Sequence, residues 1–282
     1  MKKIMFLIGI VPFMFSCSTN SDDNDDNDNN NPNNLRYLSE VRRLDPPSYD
    51  TGDVLRYDSN GLQLAYFPSR LQMLNYFEYN SANKVSKRYK DNLTGYGGEN
   101  WDPDNFDLNA FISNTTPTNY IYSNGRLIEE TYNGSPVLKY NYNEAGNIEV
   151  IEAYFGDDLA VIITMIYLND KIDEIRVDDI YYHHYKVYNF EYDDKSNPFY
   201  AFYQKYGIPN FSTGRGSFDL GSTYTEYYFS GLFKNNVTKM YTDGVLKYTA
   251  VYQYDSYGYP KRITFNNMSE GDSGIENLTY RD

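Results

Sequence analysis

The stretch Tyr140-Asn141-Tyr142-Asn143-Glu144-Ala145-Gly146-Asn147-Ile148 decides how the chain folds. Its aromatics alternate with polar residues, a period of two that puts Tyr140 and Tyr142 on one face of a strand. The polar run that follows ends in a glycine suited to a tight turn, and Ile148 opens a second strand. A near copy is Tyr252-Gln253-Tyr254-Asp255-Ser256-Tyr257-Gly258-Tyr259-Pro260-Lys261-Arg262-Ile263. Weaker copies begin at Arg56, Tyr79, Tyr120 and Tyr188, and a degenerate one runs from Ile163 to Ile172. From Tyr122 the anchoring tyrosines recur at Tyr142, Tyr167 and Tyr192. That spacing suits two strands and two turns per unit.

Leu246 to Tyr254 and Leu138 to Tyr142 alternate in the same way. Asn-Gly at 60–61, 124–125 and 133–134, and Asp-Gly at 243–244, supply the positive φ angles of two-residue hairpin turns. The expected fold is all-β: an antiparallel meander of β-hairpins, strongly twisted and curled toward a half-barrel. Tyrosines on one face should pack its core. Ile162 to Leu168, apolar on both faces, reads as its most buried strand.

Two excursions interrupt the repeats. In the first, Asp102 and Pro103 read as the start of a short helix with Phe106 and Phe111 facing inward. The second starts at Asn197-Pro198, runs to about Tyr206 and is ended by Gly207. Neither has the composition of a linker, so residues 35–282 read as a single domain.

The tyrosine repeats resemble the YD repeats of Rhs-type proteins, in which a Tyr-x-Tyr-Asp strand leads through a Gly turn into a second strand. They are still more similar to the tyrosine-rich, YD-like surface lipoproteins of Bacteroidota, with Tyr192-Asp193-Asp194-Lys195-Ser196-Asn197-Pro198-Phe199 and Asn236-Val237-Thr238-Lys239 as matching pieces. The resemblance implies a β-hairpin fold and carries no catalytic residue over.

The N-terminus reads as an address. Lys2 and Lys3 precede an apolar run from Ile4 to Phe15, too short to span a bilayer. Residues 1–16 are therefore expected to be a cleaved signal. Phe15-Ser16-Cys17-Ser18 resembles a bacterial lipoprotein signal, with Met14 where that signal usually has Leu and Phe15 where it has a small residue. The resemblance implies a lipidated Cys17 as the mature N-terminus. Residues 17–34, rich in Asp and Asn, hold nothing to bury and read as a solvated tether. Their acidic run resembles the surface-export signal of Bacteroidota lipoproteins, which implies display on the outside of the outer membrane. Its carboxylates lack the glycine and the closing Glu of an EF-hand loop.

Charge and composition exclude several functions. The chain of 282 residues carries 25 Lys+Arg against 39 Asp+Glu, a net −14. Loss of Lys2 and Lys3 takes this to −16, and setting aside the five Asp of the tether leaves −11 on the body. Nucleic acid is thereby argued against as a partner. One Cys excludes an intrachain disulfide, and 2 His make a His-rich metal centre improbable. No cofactor is expected.

Each candidate for chemistry has a plainer account. Gly271-Asp272-Ser273-Gly274 copies the nucleophile segment of chymotrypsin-like proteases, but too few residues follow it for the rest of that double barrel, so a hairpin loop is expected. His183 and His184 lie in Tyr181–Val187, which reads as strand, so their side chains should point to opposite faces. Glu129-Glu130 and Asp178-Asp179 meet the same difficulty as acid and base pairs. Trp101 and Tyr96, beside Glu99, Asp102 and Asp104, form the most distinctive cluster outside the repeats. Flat aromatics beside carboxylates suit sugar rings and their hydroxyls.

The reading that follows is a non-enzymatic, lipid-anchored surface module that binds a glycan or a surface protein through Trp101 and Tyr96. Its rivals are a surface hydrolase acting on extracellular polysaccharide and an accessory lipoprotein of an outer-membrane transporter.

Overall fold

The hairpin repeats build one antiparallel sheet whose ends meet. The computed structural model describes residues 37–44, 50–57, 62–67, 73–92, 107–209, 230–268 and 271–281. In chain order the strands are β1 (Tyr37–Leu44), β2 (Asp50–Tyr57), β3 (Leu62–Phe67), β4 (Met73–Tyr79) and β5 (Val85–Asn92). After helix α1 (Leu108–Asn114) come β6 (Thr118–Ser123), β7 (Arg126–Tyr132), β8 (Ser135–Tyr142), β9 (Ile148–Phe155), β10 (Asp158–Leu168), β11 (Lys171–Asp179) and β12 (His184–Ser196). Helix α2 (Pro198–Tyr206) and a 3-10 turn (Ser230–Leu232) precede β13 (Asn235–Thr242), β14 (Val245–Tyr254), β15 (Pro260–Asn267) and β16 (Asp272–Arg281). Every strand pairs with its sequence neighbours, and β1 also pairs with β16, from Tyr37↔Arg281 to Leu44↔Ile275. The meander expected from the sequence therefore curls past a half-barrel into a closed ring, which leaves no open sheet edge.

Turn chemistry sets the local path. Asn124-Gly125, Asn133-Gly134 and Asp243-Gly244 all have positive φ at both positions, as two-residue hairpins require. Asn60-Gly61 lies outside the described residues.

A round ring of this many strands would enclose a water-filled lumen. Here the inward side chains form one continuous buried cluster, from Phe77 on β4 to Leu278 on β16. Helix α2 completes it by contributing Phe202 and Tyr206, and the segment around the 3-10 turn adds Leu232 and Phe233. Tyr206 lies 5.6 Å from the Tyr79 ring, and Phe233 lies 5.0 Å from Phe190. The interior is a packed core.

Helix α2 matches its sequence signals: Asn197 caps it by accepting from Phe199 N, Pro198 opens it, and Gly207 ends it at φ +80. The side-chain amide of Asn197 also donates to the Phe233 carbonyl at 2.9 Å, which ties the helix to the segment that returns from it. Helix α1 is capped by Asp107, and its Phe111 is buried with Leu74 and Tyr89 in a separate small cluster. Asp102, Pro103 and Phe106 lie outside the described residues. Leu74 and Tyr76 have the opposite parity to Phe77, so α1 covers the outer face of β4 and β5.

Strand β10 corrects an expectation. Its Val161, Ile163 and Met165 are buried, but Ile162, Thr164 and Ile166 on the other face are only half-buried and Leu168 is exposed. No second layer lies over that face among the described residues. Among the described residues, flanking strands shield its apolar side chains.

Candidate binding surface at one rim of the barrel

The two ends of the ring differ. At one, each even-numbered strand turns into the next odd one; at the other, odd strands turn into even ones. Strand β1 begins at the first rim, at Tyr37.

The first rim is built by tyrosine. Tyr122 Oη donates to the Val85 carbonyl (2.9 Å), Tyr142 to Leu127 (2.7 Å), Tyr167 to Ile148 (2.7 Å), Tyr192 to Ile172 (2.5 Å), Tyr252 to Val237 (2.9 Å) and Tyr280 to Pro260 (2.8 Å). Register supplies the reason. Opposite Tyr79, Tyr122, Tyr142, Tyr167 and Tyr192 the facing strand carries one extra residue, Ser86, Ile128, Glu149, Asp173 and Thr238 respectively, a bulge at which that strand changes the face its side chains present. Across the ladder these five face Val85, Leu127, Ile148, Ile172 and Val237, and that partner accepts the hydroxyl of the next anchor along the ring.

Helix α2 closes over this belt. Lys84 Nζ donates to the carbonyls of Gln204 (2.6 Å) and Lys205 (2.9 Å) at the end of the helix, and burial lowers its pKa. A Cβ on Gly207 would stand 2.8 Å from Tyr122 Oη. Burial pushes the Tyr142 phenol up to about 12 and holds Tyr122, Tyr167 and Tyr192 well above the ordinary phenol range. The belt is therefore uncharged at neutral pH and serves to hold the fold.

The second rim carries exposed apolar side chains on its turns. Phe155 leads into the β9–β10 turn, and Ile180, Tyr181, Tyr182 and His183 form the β11–β12 turn. Phe155 and Tyr181 are 64% and 61% exposed, and Tyr185, at the start of β12, is also exposed. Ring centroids lie 6.4 Å apart for Phe155 and Tyr181, 5.0 Å edge-on for Tyr181 and Tyr182, and 6.4 Å for Tyr182 and His184. Tyr132, Val245 and Met268 are exposed at the neighbouring turns of the same rim.

The backbone under this cluster is fixed. Ile180 N and Tyr181 N both donate to the Ala160 carbonyl, at 2.9 and 3.4 Å. Buried Asp179 accepts from Tyr182 N through Oδ1 (2.9 Å), and His183 takes φ +57. Tyr181 to His183 are thus a turn rather than the expected strand, and β12 begins at His184. A buried side-chain acceptor and a left-handed residue override the β propensity of the aromatics.

The other sequence candidates are dispersed. Of Glu129-Glu130 and Asp178-Asp179, the second member of each pair is buried, and Glu130 Oε1 accepts a 2.5 Å hydrogen bond from Tyr140. The Gly271–Gly274 segment turns into β16 and pairs with β15, with Ser273 opposite Asn266. Among the described residues no group of His, Cys, Asp and Glu stands together as a metal site. Cys17, Tyr96 and Trp101 lie outside the described residues, and strand β5, which precedes Tyr96, ends at the second rim. The turn at Tyr181 was missed because Tyr181–Val187, His183 and His184 included, reads as strand.

No family model matches the chain, and no curated protein does either. Its fold is shared with a porin-like protein from Bacteroides uniformis ATCC 8492: 14% identity over 87% of this chain and 96% of that one, with a TM-score of 0.51. A porin-like protein from Bacteroides vulgatus ATCC 8482 aligns at 11% identity over 87% and 99% of the two chains, with a TM-score of 0.46. At such identities the likeness concerns fold alone.

The distribution of polarity over that fold is distinctive. On β9, Ile148, Ile151 and Ala153 are buried inward while Glu149 and Glu152 point outward. On β11, Ile172, Ile175 and Val177 are inward and Asp173, Arg176 and Asp178 are exposed. Ion pairs Arg176–Glu174 (2.6 Å) and Lys239–Glu191 (2.8 Å) lie on the outer wall. A barrel that spans a bilayer needs an apolar band outside and tolerates polarity within. Strands β9 and β11 have the reverse arrangement, suited to water, while β10 between them carries the half-buried Ile162 and Ile166 on its outer face.

Proposed function

We propose that the chain is a non-enzymatic binding domain, held at the outer membrane through lipidated Cys17 and facing the cell exterior. In this reading the acidic tether joins the barrel at the tyrosine-belt rim, and the aromatic rim at the far end meets the ligand. The observation that carries it is the contrast between the two ends. One is covered by α2 over a belt of buried phenols, with Leu168 and Tyr257 exposed singly on its turns, while the other holds Phe155 and Tyr181 exposed in ring contact on adjoining turns. Turns on a rigid scaffold are where recognition concentrates.

Anchoring by lipid, rather than by spanning strands, is supported by the charged outer wall and by the signal ending at Cys17. An outer-membrane address is supported by the fold shared with the Bacteroides uniformis porin-like protein. The test is surface labelling of intact cells with a membrane-impermeant reagent. Labelling of the wild-type chain, and its loss from the membrane fraction in Cys17→Ala, is the expected result. Protection of the chain in intact cells would overturn the outward orientation.

A further inference from the structure

We propose that the paired turns carrying Phe155 and Tyr181 bind a neutral polysaccharide, stacking pyranose rings on these two side chains; this deepens the binding reading above and rests on it.

Three observations lead to this ligand chemistry. The first is shape. Phe155 and Tyr181 are both more than half exposed and tilted 54° to each other, and they stand on backbone pinned through Ala160 and Asp179. Large rings held out on fixed turns present apolar area at little ordering cost, which suits the C–H face of a sugar. The second is charge. Asp157, Asp158 and Asp178 are exposed within three residues of these rings, on a chain of net charge −14. Carboxylates accept hydrogen bonds from sugar hydroxyls and repel uronate or sulfate groups, so the ligand is neutral. The third is size. Phe155 and Tyr181 offer two exposed rings on adjoining turns, a contact of sugar-ring scale, and a repeating polymer adds such weak ring contacts along its length.

The test is affinity electrophoresis of the full mature chain in gels containing dextran, mannan or xylan, with alginate and heparin as anionic probes and a basic peptide in solution as the third class. The expected result is retardation by at least one neutral polymer and none by the anionic ones. The double variant Phe155→Ala/Tyr181→Ala should weaken retardation by about tenfold or more, while Tyr181→Phe, which keeps the ring, should hold most of it. Tyr257→Ala, equally exposed at the opposite rim, should leave it unchanged. Circular dichroism of each variant controls for folding. Retardation by alginate or heparin alone, or binding of the basic peptide alone, lost in the double variant, would overturn the ligand class and leave the rim as the binding surface. Retardation by a neutral polymer that survives the double substitution, or its absence with every neutral polymer, would overturn the proposal.

Discussion

The Tyr167 hydroxyl donates a 2.7 Å hydrogen bond to the carbonyl of Ile148, on the strand that precedes its own. Ile148 is in turn the ladder partner of Tyr142, the anchor before Tyr167. Each hairpin is thereby tied to the next by a side chain as well as by backbone, and the repeat in sequence becomes a belt in space. Six such bonds run along one rim of the described barrel.

Removing one hydroxyl should leave a partly buried carbonyl without its side-chain donor. Tyr167→Phe is expected to lower stability by about 1 kcal/mol, with the ring still packed. Tyr167→Ala should cost about 3 kcal/mol or more, because the ring also lines the core. Denaturant midpoints of the two variants check both the direction and the order.

The belt also sets an alkaline limit. Tyr122, Tyr142, Tyr167 and Tyr192 have phenol pKa values raised by burial, so the folded state prefers the protonated form. A raised acid pKa contributes stability that is complete below the unfolded value, about 10 for tyrosine, and is lost as pH climbs toward the folded value. The melting temperature should therefore be insensitive to these phenols below that point and fall steeply above it. Phenolate absorbance from the buried rings should rise together with unfolding. A single non-cooperative phenolate titration in a still-folded protein would contradict the belt.

Lys84 holds α2 by donating to the carbonyls of Gln204 and Lys205. Lys84→Met keeps the aliphatic stem and removes both donors, and is expected to destabilise by about 1–2 kcal/mol. Hydrogen exchange should quicken most at the last turn of α2. Gly207→Ala should be worse, since it combines a positive φ with a Cβ 2.8 Å from Tyr122 Oη.

The aromatic rim should behave oppositely. Phe155→Ala and Tyr181→Ala remove exposed rings and are expected to change stability by no more than about 0.5 kcal/mol each. A Tm fall like that of Tyr167→Ala would show that these rings are core.

Period-two alternation and Asn-Gly or Asp-Gly turns made the hairpins legible in the sequence, and Asn197-Pro198 with Gly207 bounded α2 to the residue. Closure was not legible, because β1 meets β16 through pairing that no local pattern encodes. The hydroxyl acceptors were equally hidden: Ile148 reads as an ordinary core residue, and the bulge at Glu149 that shifts its register against Tyr142 has no local signature. At the second rim, Tyr181-Tyr182 has the composition of a strand, and the turn there depends on the buried Asp179 carboxylate and on His183 at positive φ. The sequence pointed instead to Tyr96 and Trp101, on a segment outside the described residues.

The proposed hold on the membrane is lipid on Cys17, with the barrel wall standing in water. Detergent phase partition of the wild-type chain beside Cys17→Ala, expressed in the same cells, tests it most directly. The wild type should enter the detergent phase, and Cys17→Ala should enter the aqueous phase as a folded, β-rich protein. Recovery of folded Cys17→Ala in the detergent phase would contradict it, since the wall itself would then be holding lipid.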